Sequence, residues 1–303
     1  MLQASASRIR ERLPGADIMG ATGGSCRLGF HMPIIWLRVA LALYGMGLVY
    51  VLVALMRAPR ELLNRIVLHA AYLGMVFHFV AIAESVRQSG ELGLANLSQA
   101  GSVLAFLIMI VFLLVYMVYG TTSPGIVVFP LVFFLTFMGV MREDPFVLAS
   151  ETAKRGWLVA HVCLILSAYA ALVLSFSASL VYLLQERALK TKRSVWLLSR
   201  FPALQVTDEI GLRSLLIGFP FMTAGLAIGL LIAQMNFGHI NFRDPKILIT
   251  LLTWMVYLIL VYMRWSAGWR GRRAAYLAAG VFVMAIVAWG ANYFSTIHQL
   301  GKP

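Results

Sequence analysis

Six histidines, His31, His69, His78, His161, His239 and His298, are the side chains of this sequence whose chemistry points to coordination. Neutral imidazole is a metal ligand, and two ring nitrogens from different helices can close on one haem iron as its axial pair. The two cysteines, Cys26 and Cys163, lie far apart and form neither C-x-x-C nor C-x-x-C-H. A zinc knuckle and a covalent haem attachment site are therefore both absent from the pattern. No hydrolytic triad, phosphate loop or metal-hydrolase motif is present either, so the residues give no support to a stand-alone catalyst. Whether the imidazoles can converge depends on the elements that carry them.

Those elements are set by composition. Of 303 residues, 61% are hydrophobic and 12% charged, with a mean hydropathy of +0.84. Soluble domains carry about 25% charged residues, so the chain reads as an integral membrane protein. Runs of roughly 20 apolar residues fall near 34–56, 66–86, 101–119, 125–141, 157–184, 215–235, 247–264 and 275–297. Stretches such as LAFLIMIVFLLVYMVYG are apolar on every face, unlike the alternating segments of a membrane barrel. The fold class is thus an all-α integral membrane protein, a bundle of about eight transmembrane helices.

The formal charge of +13 sits in short connections between spans, which is a topology signal and not a nucleic-acid footprint. The basic connections 57–65, 185–214 and 265–274 are expected in the cytoplasm by the positive-inside rule. The nearly balanced loops 87–100, 142–156 and 236–246 then face outward, as do both ends of the bundle. Residues 1–31 carry Arg8, Arg10, Arg12 and Arg27 on that outward side and lack the apolar core of a signal peptide. They read as a basic extension ahead of a start at Met32, with 32–303 a single polytopic membrane domain.

Depth sorts the histidines. His161 lies four residues into the fifth span, roughly 6 Å below its outer end, and His298 closes the outer end of the eighth. His239 lies in the outer loop 236–246, and His78 is roughly 12 Å deep in the second span. His69 is nine residues from His78, on the opposite helix face, so those two cannot share one site. His161 and His298 are the leading candidates for a shared iron, with His239 and His78 as further haem-binding candidates. The structural alternative for each is an interhelical hydrogen bond. Other polar or special residues have structural readings too. Glu84, near the outer end of span two, either relays protons or reaches water. Gly225 and Gly229 form a G-x-x-x-G packing face, and Trp157, Trp254 and Trp289 read as interfacial anchors.

The blocks WLVAHVCLILSAYAALVLSFSASLVYLLQERALK, GFPFMTAGLAIG, DPKILITLLTWMVYLILVYMRWSAGWRGRRAAYLA and GANYFSTIHQL occur in that order. Together they resemble the CcsA/HemX-type cytochrome c assembly membrane proteins, which include shorter YpjD-like members, over roughly residues 32 to 298. The resemblance implies a haem-handling protein of the bacterial inner membrane in which outward histidines flank a tryptophan-rich loop. On this chain the flanking histidines are His161 and His298, and the implied cofactor is non-covalently held haem b. The implied partners are a further assembly subunit and apocytochrome c, within a lipid bilayer and without nucleic acid. In haem-presenting members the loop reads approximately W-G-x-x-W-x-W-D-P-K; here it is FGHINFRDPK. Gly238, Asp244, Pro245 and Lys246 match, whereas Phe237, Asn241 and Arg243 stand at the tryptophan positions. Tyr262, two residues before Arg264, stands where those members have a membrane histidine. Asp244 and Pro245 suit the N-cap and first position of a helix. Arg243 and His239 suit either haem propionates or phospholipid headgroups. The expected function is assistance or regulation of haem delivery, with a non-haem scaffold and a small-solute transporter as alternatives.

Overall fold

The computed structural model describes residues 23–56, 61–89, 97–141, 152–191, 201–237 and 244–290. Eight helices follow one another there, with no strand among the described residues: α1 (Gly23–Met56), α2 (Glu61–Ser89), α3 (Leu97–Tyr119), α4 (Gly125–Met141), α5 (Thr152–Thr191), α6 (Leu204–Phe237), α7 (Pro245–Trp265) and α8 (Arg272–Gly290). In hydrocarbon a backbone must satisfy its own polar groups, and a continuous helix does so within one segment. Seven of the eight are long and apolar enough to cross a membrane. The remaining helix, α4, has 17 residues and spans about 25 Å, short of a hydrocarbon core of about 30 Å. It packs against α1 and α3, burying Val128, Phe129, Val132 and Val140.

The packing divides the bundle. α1 lies against α2 and α4, and α3 against α4; in the other half α5 lies against α6 and α8, and α7 against α6 and α8. α5 touches α3 and α4 as well, so it joins the two halves. The core runs through both, from Tyr44, Phe112 and Phe129 to Leu166, Leu172 and Tyr257.

The closest pair is α5 with α6, and glycine spacing explains it. Gly211, Gly218 and Gly225 recur every seven residues, which returns to one helix face after two turns, and Gly229 extends the row. A Cβ at Gly211 would touch Ala178, one at Gly218 would strike Ala171 and the Tyr257 hydroxyl, and one at Gly225 would press on Ile165. Small residues on both sides let the backbones approach, the usual basis of helix association where no water drives it. Side-chain donors then reach carbonyls of α6: the Ser175 hydroxyl donates to Gly211 O at 3.0 Å and the Tyr257 hydroxyl to Leu215 O at 2.9 Å.

The connection expected over 185–214 is mostly helical. α5 continues to Thr191 and α6 begins at Leu204, so both project past their apolar windows. Beyond the hydrocarbon, i,i+4 ion pairs sustain them, Glu186 with Lys190 and Glu209 with Arg213. Gln185 ties the two ends together, donating to Pro202 O and accepting from the Thr207 hydroxyl. The turn from α7 to α8 uses Gly268 and Gly271 at φ of 63° and 71°, a backbone region that costs other residues strain.

Candidate functional site

His161 projects from α5 toward α6, half-buried. Its Nδ1–H donates to the carbonyl of Gly225 at 2.6 Å. A carbonyl oxygen only accepts, so the proton of the neutral ring sits on Nδ1 and the lone pair on Nε2. Gly229 forms the wall of the pocket: a Cβ there would lie 2.5 Å from Cε1 and 2.8 Å from Nδ1. The G-x-x-x-G of α6 is therefore a packing face, as its spacing predicts, and also the seat of an imidazole. Ligating histidines commonly hold their second nitrogen on a backbone carbonyl, which fixes tautomer and ring direction. This donor arrangement fits an axial haem ligand.

His78 has other surroundings. It is fully buried, with Nε2 2.9 Å from the Ser102 hydroxyl and Nδ1 3.5 Å from the Tyr44 hydroxyl. Its ring also lies against Phe106, 5.6 Å between centroids. His78 bonds residues of α1 and α3 and His161 bonds α6, so the structure gives the two imidazoles separate settings. His69 is exposed and bonds Arg65 O within its own helix, consistent with a face opposite His78. His239 and His298 lie outside the described residues, and so does the side chain of His31.

Among the described residues no group of three or more His, Cys, Asp or Glu could hold a metal ion. Haem iron needs only one or two axial donors, so a single imidazole can serve it. The family model for the cytochrome C assembly protein matches residues 37–298, from α1 through the last histidine. The chain belongs to the cytochrome c assembly protein family. Relatives include the cytochrome c biogenesis protein CcsA of Prochlorococcus marinus strain MIT 9312, 31% identical over 169 residues, or 49% of this chain and 55% of that protein. The CcsA protein of Prochlorococcus marinus strain MIT 9515 is 28% identical over 70% of this chain and 76% of its own length. That of Guillardia theta is 27% identical over 71% and 78%. The chain spans about half the length of the first of the curated relatives it matches.

In this cytochrome c assembly family member, residues 238–243 of the loop before α7 lie outside the described residues, which resume at Asp244. Asp244 is buried, its carbonyl accepts from Leu248 N at 3.1 Å, and Pro245 opens the helix, which is the N-cap arrangement its spacing predicts. Trp254 corrects an expectation. It is not an interfacial anchor but an interhelical residue, donating Nε1–H to the Thr223 hydroxyl at 3.0 Å and stacking on Phe219. Trp289 packs on Tyr169, while Trp157 is exposed. Glu84 pairs locally with Arg87 through both carboxylate oxygens and accepts from Gln88.

Sequence reasoning missed a buried ion pair. Arg264, 5% exposed, bonds the Asp208 carboxylate at 2.8 Å and the Asp208 carbonyl at 3.0 Å, fastening α7 to α6. Beside it Arg272 reaches Glu186 at 3.5 Å, and Arg213 lies over the Tyr119 ring. These contacts gather the ends of α3, α5, α6, α7 and α8 that border 185–214 and 265–274 onto one face. A signal existed: an acid and an arginine at span ends on the same connection side, fifty-six residues apart in sequence.

Proposed function

We propose that this family member binds haem at the face opposite its basic connections, and assists or regulates its delivery during cytochrome c biogenesis. The single observation that carries the reading is the His161 Nδ1–H to Gly225 carbonyl bond, which fixes the tautomer and ring direction as backbone carbonyls do for ligating histidines. Bound haem would supply an iron open to axial nitrogen donors. His161 and His298 would hold the iron of a non-covalently bound b-type haem, and His239 and Arg243 would contribute from the loop before α7. A further assembly subunit and apocytochrome c are the proposed partners. The basic face is cytoplasmic in a bacterial inner membrane, by the positive-inside rule. An impermeant thiol reagent should label a cysteine placed at 241 in intact cells and spare one at 192 or 270; labelling at 192 would invert the orientation.

The second reading is a scaffold or regulator that holds no haem. It is favoured by Phe237, Asn241 and Arg243, which stand where the tryptophans of the haem-presenting loop would be. Expression with ample haem, followed by the absorption spectrum of the purified protein, separates the two. A Soret band with split visible bands on reduction supports histidine-ligated haem. A featureless spectrum supports the scaffold.

A further inference from the structure

The glycine pair at the outer end of α6 does more than let two helices touch. Gly225 places its carbonyl 2.6 Å from His161 Nδ1, and Gly229 leaves the space that the ring occupies. A helix carbonyl has two lone pairs, so it can take this bond in addition to its own i+4 partner. We infer that Gly225 and Gly229 are positioning residues which hold His161 in the Nδ1–H tautomer, the form in which Nε2 is able to ligate; the identity of the ligand as haem rests on the reading above. The two requirements are coupled. A methyl at 229 would overlap Cε1 and Nδ1, so the ring must shift, and Nδ1, the atom bonded to the Gly225 carbonyl, is one of the two it displaces. Freed of that acceptor, neutral imidazole can carry its proton on either nitrogen, and the Nε2–H form cannot ligate through Nε2.

A mere packing role predicts something different. Gly218 belongs to the same row, eleven residues inward and about 16 Å away along the helix. A Cβ there clashes with Ala171 and the Tyr257 hydroxyl at least as hard, yet touches no part of His161. Gly218→Ala therefore disturbs the seam without disturbing the imidazole, and Gly229→Ala disturbs both.

The experiment uses the full chain, labelled with 15N-histidine, in detergent and free of haem. The His161 ring signals are recognised by their loss in His161→Ala. Wild type and Gly218→Ala should show a protonated Nδ1 and an unprotonated Nε2 at His161, and Gly229→Ala should lose that state. Titrated with hemin, Gly229→Ala should bind at least about tenfold more weakly than Gly218→Ala, the lower end of what loss of a ligand-orienting partner costs. An unchanged tautomer in Gly229→Ala, or equal shifts in both alanine variants, would overturn the inference. If wild type shows the Nδ1–H form but takes up no hemin, the haem reading fails while the tautomer comparison still decides the socket. Should Gly229→Ala not accumulate, the Gly229→Ala, His161→Ala double variant decides. Removing the ring should restore accumulation, and continued failure would show that Gly229 packs against something else.

Discussion

His78 and His161 are both imidazoles placed by sequence in the outer half of the bundle, and the structure sets them apart. Around His78 the protein supplies a partner for each nitrogen, Ser102 and Tyr44, and seals the ring completely. Around His161 it supplies a carbonyl at Nδ1 and a glycine pocket, and leaves the ring half-buried near the end of α5. The difference teaches how a bundle can use one residue type twice. A histidine bonded at both nitrogens and buried on all sides is a cross-brace between helices; one half-buried and oriented through Nδ1 by a carbonyl has the tautomer and setting common among ligating histidines.

The contrast should show first in stability. His78→Ala removes a fully buried ring and leaves the Ser102 and Tyr44 hydroxyls without it, so denaturant unfolding of the haem-free protein should report a loss of about 3 kcal/mol. His161→Ala removes the Gly225 hydrogen bond from a half-buried site and also relieves the crowding at Gly229. Its loss should be about 1 kcal/mol or less, since interhelical bonds in membranes average about 0.6 kcal/mol. Equal losses from the two variants would erase the distinction between brace and ligand.

Much of the fold was legible because apolar runs of spanning length have few alternatives: eight helices were expected and eight are found among the described residues. Boundaries over 185–214 were not, since a charged helix leaving the membrane loses the hydropathy signal while Glu186–Lys190 and Glu209–Arg213 keep it wound. The partners of the candidate site were not legible. Counting residues from a span end put His78 and His161 in the same half of the bundle, and only packing shows that one faces α1 and α3 and the other α6. Trp254 was misjudged for the same reason, because a tryptophan on a helix does not declare whether lipid or Thr223 lies opposite. The seven-residue row Gly211, Gly218, Gly225 was readable in the sequence and would have located the α5–α6 seam.

The central claim is that His161, and not His78, meets the ligand. Hemin titration of the haem-free protein, comparing wild type with His161→Ala and with His78→Gln, which keeps a hydrogen-bonding side chain in the buried site, tests it most directly. The account predicts that His78→Gln retains the wild-type affinity and Soret position, whereas His161→Ala loses at least about tenfold in affinity and shifts the band. Wild-type titration in His161→Ala, or loss of binding confined to His78→Gln, would contradict it.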